Sequence, residues 1–165
     1  MRKSTIVALV LSGIVFATFA CGFVANTSIT SSPNTPMDTI AVCQIPEIVK
    51  KLGVNRNEGS WAAFAFASAG ERSEPESVVN LQYSYENGTV GLDWVLLAPR
   101  NVKDREKFSE FVRTQKHKLV QKEANGVKYL RVEDGDIVNL GLKVMKEMYR
   151  LTDESKVEIF TDGFE

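Results

Sequence analysis

The chain has 165 residues, a formal net charge of −1, 44% hydrophobic residues and one histidine. That balance excludes bulk electrostatic attraction to nucleic acid or anionic lipid, which needs a concentrated basic face. A single histidine excludes multi-histidine zinc sites, no Cys/His cluster stands at metal spacing, and neither metal nor cofactor is expected.

Met1-Arg2-Lys3 is a short basic start, and residues 5–25 carry no charge. A basic start before an apolar core resembles a bacterial secretory or lipoprotein signal peptide. Three fates stay open. Thr18 and Ala20 are small residues suited to cleavage before Cys21. Cys21, between Ala20 and Gly22, is similar to a lipidated cysteine, although Thr18 and Phe19 depart from the usual lipobox. The uncharged stretch is also long enough to span a bilayer as an uncleaved anchor. Each fate places the rest of the chain in the periplasm, cell envelope or extracellular space. Processing also decides the cysteines. Cleavage just before Cys21 permits a Cys21–Cys43 disulfide, whereas lipidation or retention leaves Cys43 a lone thiol with no activating base beside it.

Residues 26–38 are rich in Ser, Thr, Asn and Pro and form a polar linker. Residues 39–77 are a poorly defined, partly helical segment. Pro46-Glu47 opens a short helix that Gly53 ends. Residues 61–67, WAAFAFA, alternate like a strand, but their alanine content predicts a helix. Residues 70–77, GERSEPES, are a charged boundary leading into a small domain over 78–165.

Residues 78–99 predict a β-hairpin. Asn87-Gly88 suits a two-residue type I′ turn, because both positions need positive φ. The implied register sets Tyr85 opposite Val90, Tyr83 opposite Leu92 and Leu81 opposite Trp94 on one apolar face. The other face pairs Ser84 with Gly91, Gln82 with Asp93 and Asn80 with Val95. A slip of one residue would bury Gln82 and Asp93 in the core, so the pattern specifies its own pairing.

Asn101 is read as the cap of a helix carrying Phe108, Phe111, Val112 and Leu119. Ala124-Asn125-Gly126 is a turn, and residues 127–132 are a strand. Asp134 or Asp136 caps a helix burying Ile137, Leu140, Gly141, Val144, Met148 and Leu151. Residues 156–160 are a last strand. The fold class is therefore α+β, a two-layer sandwich of order β-β-α-β-α-β with both helices on one face of the sheet. Gly91-Leu92-Asp93-Trp94-Val95-Leu96-Leu97-Ala98-Pro99-Arg100-Asn101, with residues 125–133, resembles small uncharacterised bacterial proteins. The resemblance covers residues 78–164, implies a domain there and attaches no activity to it.

Few residues suggest chemistry. Asp93 sits mid-strand, where Asp is disfavoured, and with Gln82 and Asn80 it forms a polar patch on the open sheet face. A solvated sheet face is the simpler explanation of the patch, with ligand contact as the alternative. Arg100, at a strand end and helix start, could meet an anion. His117 lies at a polar helix end, where a solvated cation is the simpler reading. Glu133-Asp134-Gly135-Asp136 lacks the later ligand of a calcium loop, and turn and cap chemistry explain it. No nucleophile elbow, phosphate loop or paired-carboxylate signature is present, so no catalytic residue is assigned. The leading reading is an exported, free or membrane-tethered, non-catalytic binding domain of unknown protein or small-ligand partner, using Asn80, Gln82, Asp93 and Arg100. The alternative is a small envelope hydrolase or anionic-ligand-binding protein using Asp93, Arg100 and His117.

Overall fold

The computed structural model describes residues 38–71 and 74–163. The export signal expected over 1–25, Cys21, and the linker up to residue 37 lie outside the described residues. In chain order the elements are β1 (Asp38–Ala41), α1 (Ile45–Asn55), β2 (Trp61–Phe66), β3 (Val79–Glu86), β4 (Thr89–Val95), α2 (Pro99–Lys103), α3 (Arg105–Thr114), β5 (Val120–Ala124), β6 (Val127–Val132), α4 (Ile137–Lys143) and β7 (Lys156–Asp162). The protein is mixed α+β. Its strands form one antiparallel seven-stranded sheet in the order β1-β7-β2-β3-β4-β6-β5.

The hairpin β3–β4 has the register its turn dictates. Asn87 and Gly88 take φ of 53° and 81°, and Glu86 pairs with Thr89, Gln82 with Asp93 and Leu81 with Trp94. The ladder stops there because a side chain takes over. The Asn101 amide accepts from the Asn80 backbone N–H at 2.9 Å and donates to the Asn80 carbonyl at 2.6 Å, as a neighbouring strand would. Asn101 is thus buried inside α2 and is not the expected cap.

Two expectations are corrected upstream. Residues 61–66 are strand β2, not a helix, and β2 lies between β7 and β3 near the centre of the sheet. Tertiary pairing outweighs alanine's helix preference here, because Phe64 and Phe66 fit the core face while Ala63 fits closely on the other. The sheet also takes in β1 and β2, so among the described residues it extends upstream of residue 78 to Asp38. A third correction concerns order. Within residues 78–163 the elements run β-β-α-α-β-β-α-β, because the polar residues Val120–Ala124 form an edge strand against β6 and the expected first helix is divided into α2 and α3. The turn joining β5 to β6 is again Asn-Gly, with φ of 51° and 80° at Asn125 and Gly126.

One face of the sheet carries the hydrophobic core. Phe64, Phe66, Leu81, Tyr83, Leu92, Trp94, Leu130, Val132 and Val157 pack there against Ile45, Val49 and Leu52 of α1, Phe108 and Val112 of α3, and Ile137 and Leu140 of α4. Trp94 stacks on Phe108 at 4.4 Å between ring centroids, and its indole N–H donates to the Asn101 carbonyl. Asp136 caps α4 by accepting from the Asn139 N–H at 3.0 Å. Beyond Lys143 that helix widens into a π-helical turn over Val144–Met148.

Gly141 on α4 lets the helix approach the sheet, since a Cβ there would overlap the Tyr83 hydroxyl. Gly141→Ala is therefore expected to lower stability by about 1–3 kcal/mol through overpacking. Gly53, inside α1, has room for a methyl group at ordinary contact with Val90, 3.5 Å away. Gly53→Ala is expected to raise stability by roughly 0.5–1 kcal/mol. Urea unfolding of the two variants beside the parent checks both signs.

Candidate functional site: a buried ionic row across the second sheet face

Because paired residues of an antiparallel ladder share a face, the register defines what lies opposite the core. One row across the sheet reads Phe160, Ala63, Gln82, Asp93, Arg131 and Val120, taken from β7 to β5. Beside it lie Trp61, Ser84 and Gly91 on one flank and Ala65 and Asn80 on the other. A sheet face turned to water would expose such residues. Here Ala63, Ser84, Asp93 and Arg131 are all at or within 1% of complete burial, although α1, α3 and α4 bury their apolar sides against the other face.

Arg131 is the centre of the row. Its guanidinium donates to both Asp93 carboxylate oxygens at 2.7 and 3.0 Å, to the Ser84 hydroxyl at 2.7 Å, and to the Ser84 and Thr89 carbonyls at 3.3 and 3.2 Å. Its Nε donates to Glu133 at 2.5 Å. The planar fork of Arg, with five fixed donors, suits such a cage, and Lys does not. Gly91 makes the space, since a Cβ at that position would collide with the guanidinium. Glu86 completes the group, accepting from the Tyr129 hydroxyl at 3.2 Å and lying 3.8 Å from both Lys122 and the Arg131 Nε.

Burial pushes the Asp93 carboxyl up to about 7, overcoming the lowering pull of Arg131 and the Ser84 hydroxyl. Burial, then the Glu86 carboxylate, raises the Tyr129 phenol and keeps it a hydrogen-bond donor. Glu133 is held below the usual carboxylate range, first by Lys122 and then by Arg131. Three groups on this face remain without a hydrogen-bond partner: the Trp61 indole N–H, the Gln82 amide nitrogen and the Asn80 side-chain carbonyl. Their residues are only 3–4% exposed. A buried polar group left unpaired costs about 1–3 kcal/mol.

The residues singled out from sequence divide accordingly. Asn80, Gln82 and Asp93 share this face, as the hairpin register implied. Arg100 does not join them. Its guanidinium donates to Asp104 at 2.6 Å and Glu71 at 3.2 Å and lies over the Tyr149 ring, fastening the β2–β3 loop to α2. His117 stands elsewhere again, its Nδ1 2.9 Å from the Asp134 carbonyl and its ring close against Gly135. Asp93, Arg100 and His117 share no hydrogen-bond or ionic partner. Cys43 is exposed and unbridged. The sequence reading missed Arg131, Glu86 and Trp61. Arg131 had a signal, as a charge alternating with Leu130 and Val132 in a strand able to pair beside Asp93. Among the described residues no group of three or more His, Cys, Asp or Glu could hold a metal ion, and no helix is long and apolar enough to cross a membrane. No family model matches the chain, no curated protein is similar to it, and no solved structure matches it.

Two predictions follow from the Asp93–Arg131 pair. Arg131→Met strands a buried carboxylate and is expected to cost about 3–5 kcal/mol, whereas adding Asp93→Leu to it recovers most of that loss. A double-mutant cycle by urea unfolding measures the coupling. The pH dependence has a defined sign. Between the ordinary value of 3.8 and about 7, folded Asp93 holds a proton that the unfolded chain has released. Its contribution to stability therefore falls as pH rises through that window, and Asp93→Asn removes this slope. Urea midpoints taken across the window compare parent and variant.

Proposed function

We propose that the protein is an exported, non-catalytic binding domain, free or held at a membrane by its N-terminus. Its contact surface is the sheet face bearing Trp61, Asn80, Gln82 and the Asp93–Arg131 row. In this reading the described part is a two-layer sandwich, with helices on one face of the sheet and the other face reserved for contact. The observation that carries the reading is the set of unpaired buried donors and acceptors on that second face. They are neutral and directional, so they favour a partner offering hydroxyls, amides or backbone carbonyls over one offering only charge. The row beneath them is internally paired, with Arg131 spent on Asp93, Ser84 and Glu133, which suits a rigid platform rather than a reactive centre. The hydrolase alternative lacks that support, because Asp93, Arg100 and His117 are engaged in separate places. The basic and apolar N-terminal residues support export.

Site-specific photo-cross-linking in intact bacteria tests the contact surface. Val120 is half-exposed and belongs to the Arg131 row, whereas Glu110 is exposed on α3. A photoreactive residue at Val120 is expected to yield a discrete adduct that the same residue at Glu110 does not. Gln82→Ala is expected to weaken its formation by about tenfold, the equivalent of one well-placed contact of roughly 1.4 kcal/mol. Equal adducts from both positions, or none from Val120, would remove the surface.

A further inference from the structure

The turn that joins β3 to β4 brings together two groups that can react with each other. In an Asn-Gly sequence the glycine nitrogen can attack the side-chain amide carbon of the residue before it, because no Cβ on the glycine obstructs the approach. Both groups are uncommitted here. Asn87 and Gly88 are exposed, and neither the Asn87 amide nor the Gly88 N–H has a hydrogen-bond partner among the described residues. The space where a Cβ would stand at Gly88 is open, with no atom within 4 Å. The Asn87 N–H, by contrast, donates to Glu58 Oε1 at 2.7 Å, so the backbone is anchored while the side chain is left to turn. Three other asparagines lack one condition or another. Asn101 is buried and holds the Asn80 backbone, Asn139 precedes Leu140, and Asn125, which also precedes a glycine, is not free in this way.

We propose that Asn87 is a site of spontaneous deamidation, through a cyclic imide formed with the Gly88 nitrogen. That nitrogen loses its proton and bonds to the Asn87 side-chain carbonyl carbon, and the amide nitrogen leaves as ammonia. Water, the only co-reactant, then opens the ring at one of its two carbonyls and leaves aspartate or isoaspartate at position 87. The reacting groups sit on adjacent residues, so they meet without a bimolecular encounter. The isoaspartate product routes the backbone through the former side chain and lengthens a two-residue turn that fixes the Glu86–Thr89 pairing. The Thr89 carbonyl accepts from Arg131 at 3.2 Å, so the change reaches the buried ionic row. Either product also places a negative charge beside Glu58, whose carboxylate holds the turn. The turn that sets the register is thus where age erodes it, whether or not the sheet face meets a partner.

The experiment incubates the full chain in detergent at mildly alkaline pH, with a urea-unfolded sample beside it. Peptide masses and isoaspartate-specific methylation follow each asparagine. In the folded chain the Asn87 peptide is expected to pass from amide to acid mass ahead of the Asn125 and Asn139 peptides, and to accept methyl groups. Asn87→Gly keeps a residue that tolerates positive φ and is expected to remove most of the methylation of the whole folded chain. Conversion of Asn87 in the unfolded sample alone would overturn the site, as would conversion of Asn125 at the same rate in the folded chain. Acid formation without isoaspartate would overturn the cyclic imide. The separated isoaspartate form is expected to unfold at lower urea than Asn87→Asp, which carries the same charge on an unaltered backbone. Equal midpoints would overturn the effect on the register.

Discussion

A guanidinium and a carboxylate buried in the middle of a sheet impose conditions on everything around them. Removing two ions from water costs several kcal/mol each, and their attraction compensates only if the remaining donors and acceptors are also matched. Arg131 meets that condition through Asp93, the Ser84 hydroxyl and carbonyl, the Thr89 carbonyl and Glu133, drawn from three adjacent strands. Such a set exists in one register only. A shift of β6 against β4 would leave Asp93 facing Leu130 or Val132, and a shift of β4 against β3 would separate Ser84 from Gly91. The pair is therefore best understood as a device that specifies alignment, whatever its net contribution to stability.

The second organising contact lies at the other end of the same strands. Asn101 replaces a length of strand with one amide, and its own carbonyl receives the Trp94 indole. A single residue thus ends the hairpin ladder and orients the largest ring of the core, which stacks on Phe108. Tyr149 adds to this group through Phe66, Trp94 and the Asp104 carboxylate, so both ends of the central strands are held by polar groups that also position aromatics.

The hairpin was legible because three signals coincide there: an Asn-Gly turn, strict alternation, and polar residues that a slipped register would bury. Where the signals conflicted, legibility failed. Trp61–Phe66 has an alternating pattern and a helix-favouring composition, and only its position between two other strands decides between them. Val120–Ala124 is polar because it is an edge strand, although the following Asn125-Gly126 repeats the turn chemistry of the first hairpin. Of the candidate site, Asn80, Gln82 and Asp93 could be grouped from local register alone. Arg131 joins them through a pairing between β4 and β6, on opposite sides of two helices and an edge strand, which local periodicity does not encode. Arg100 and His117 looked available because their partners, Asp104, Glu71 and Asp134, become neighbours only through turns and helix ends.

The place of β7 has a consequence in time. Among the described residues β7 is the last strand, yet it is inserted between β1 and β2, the first two, and β1 has no other described strand beside it. During synthesis those early strands emerge with their central partner still unmade, so the sheet cannot close until β7 is available. Pairings so distant in sequence make for slow folding, because loop closure must precede the contacts that reward it. On the export route proposed above, in which the chain would cross a membrane as an extended polymer, that delay would be useful: the topology itself postpones the compact state until β7 has arrived.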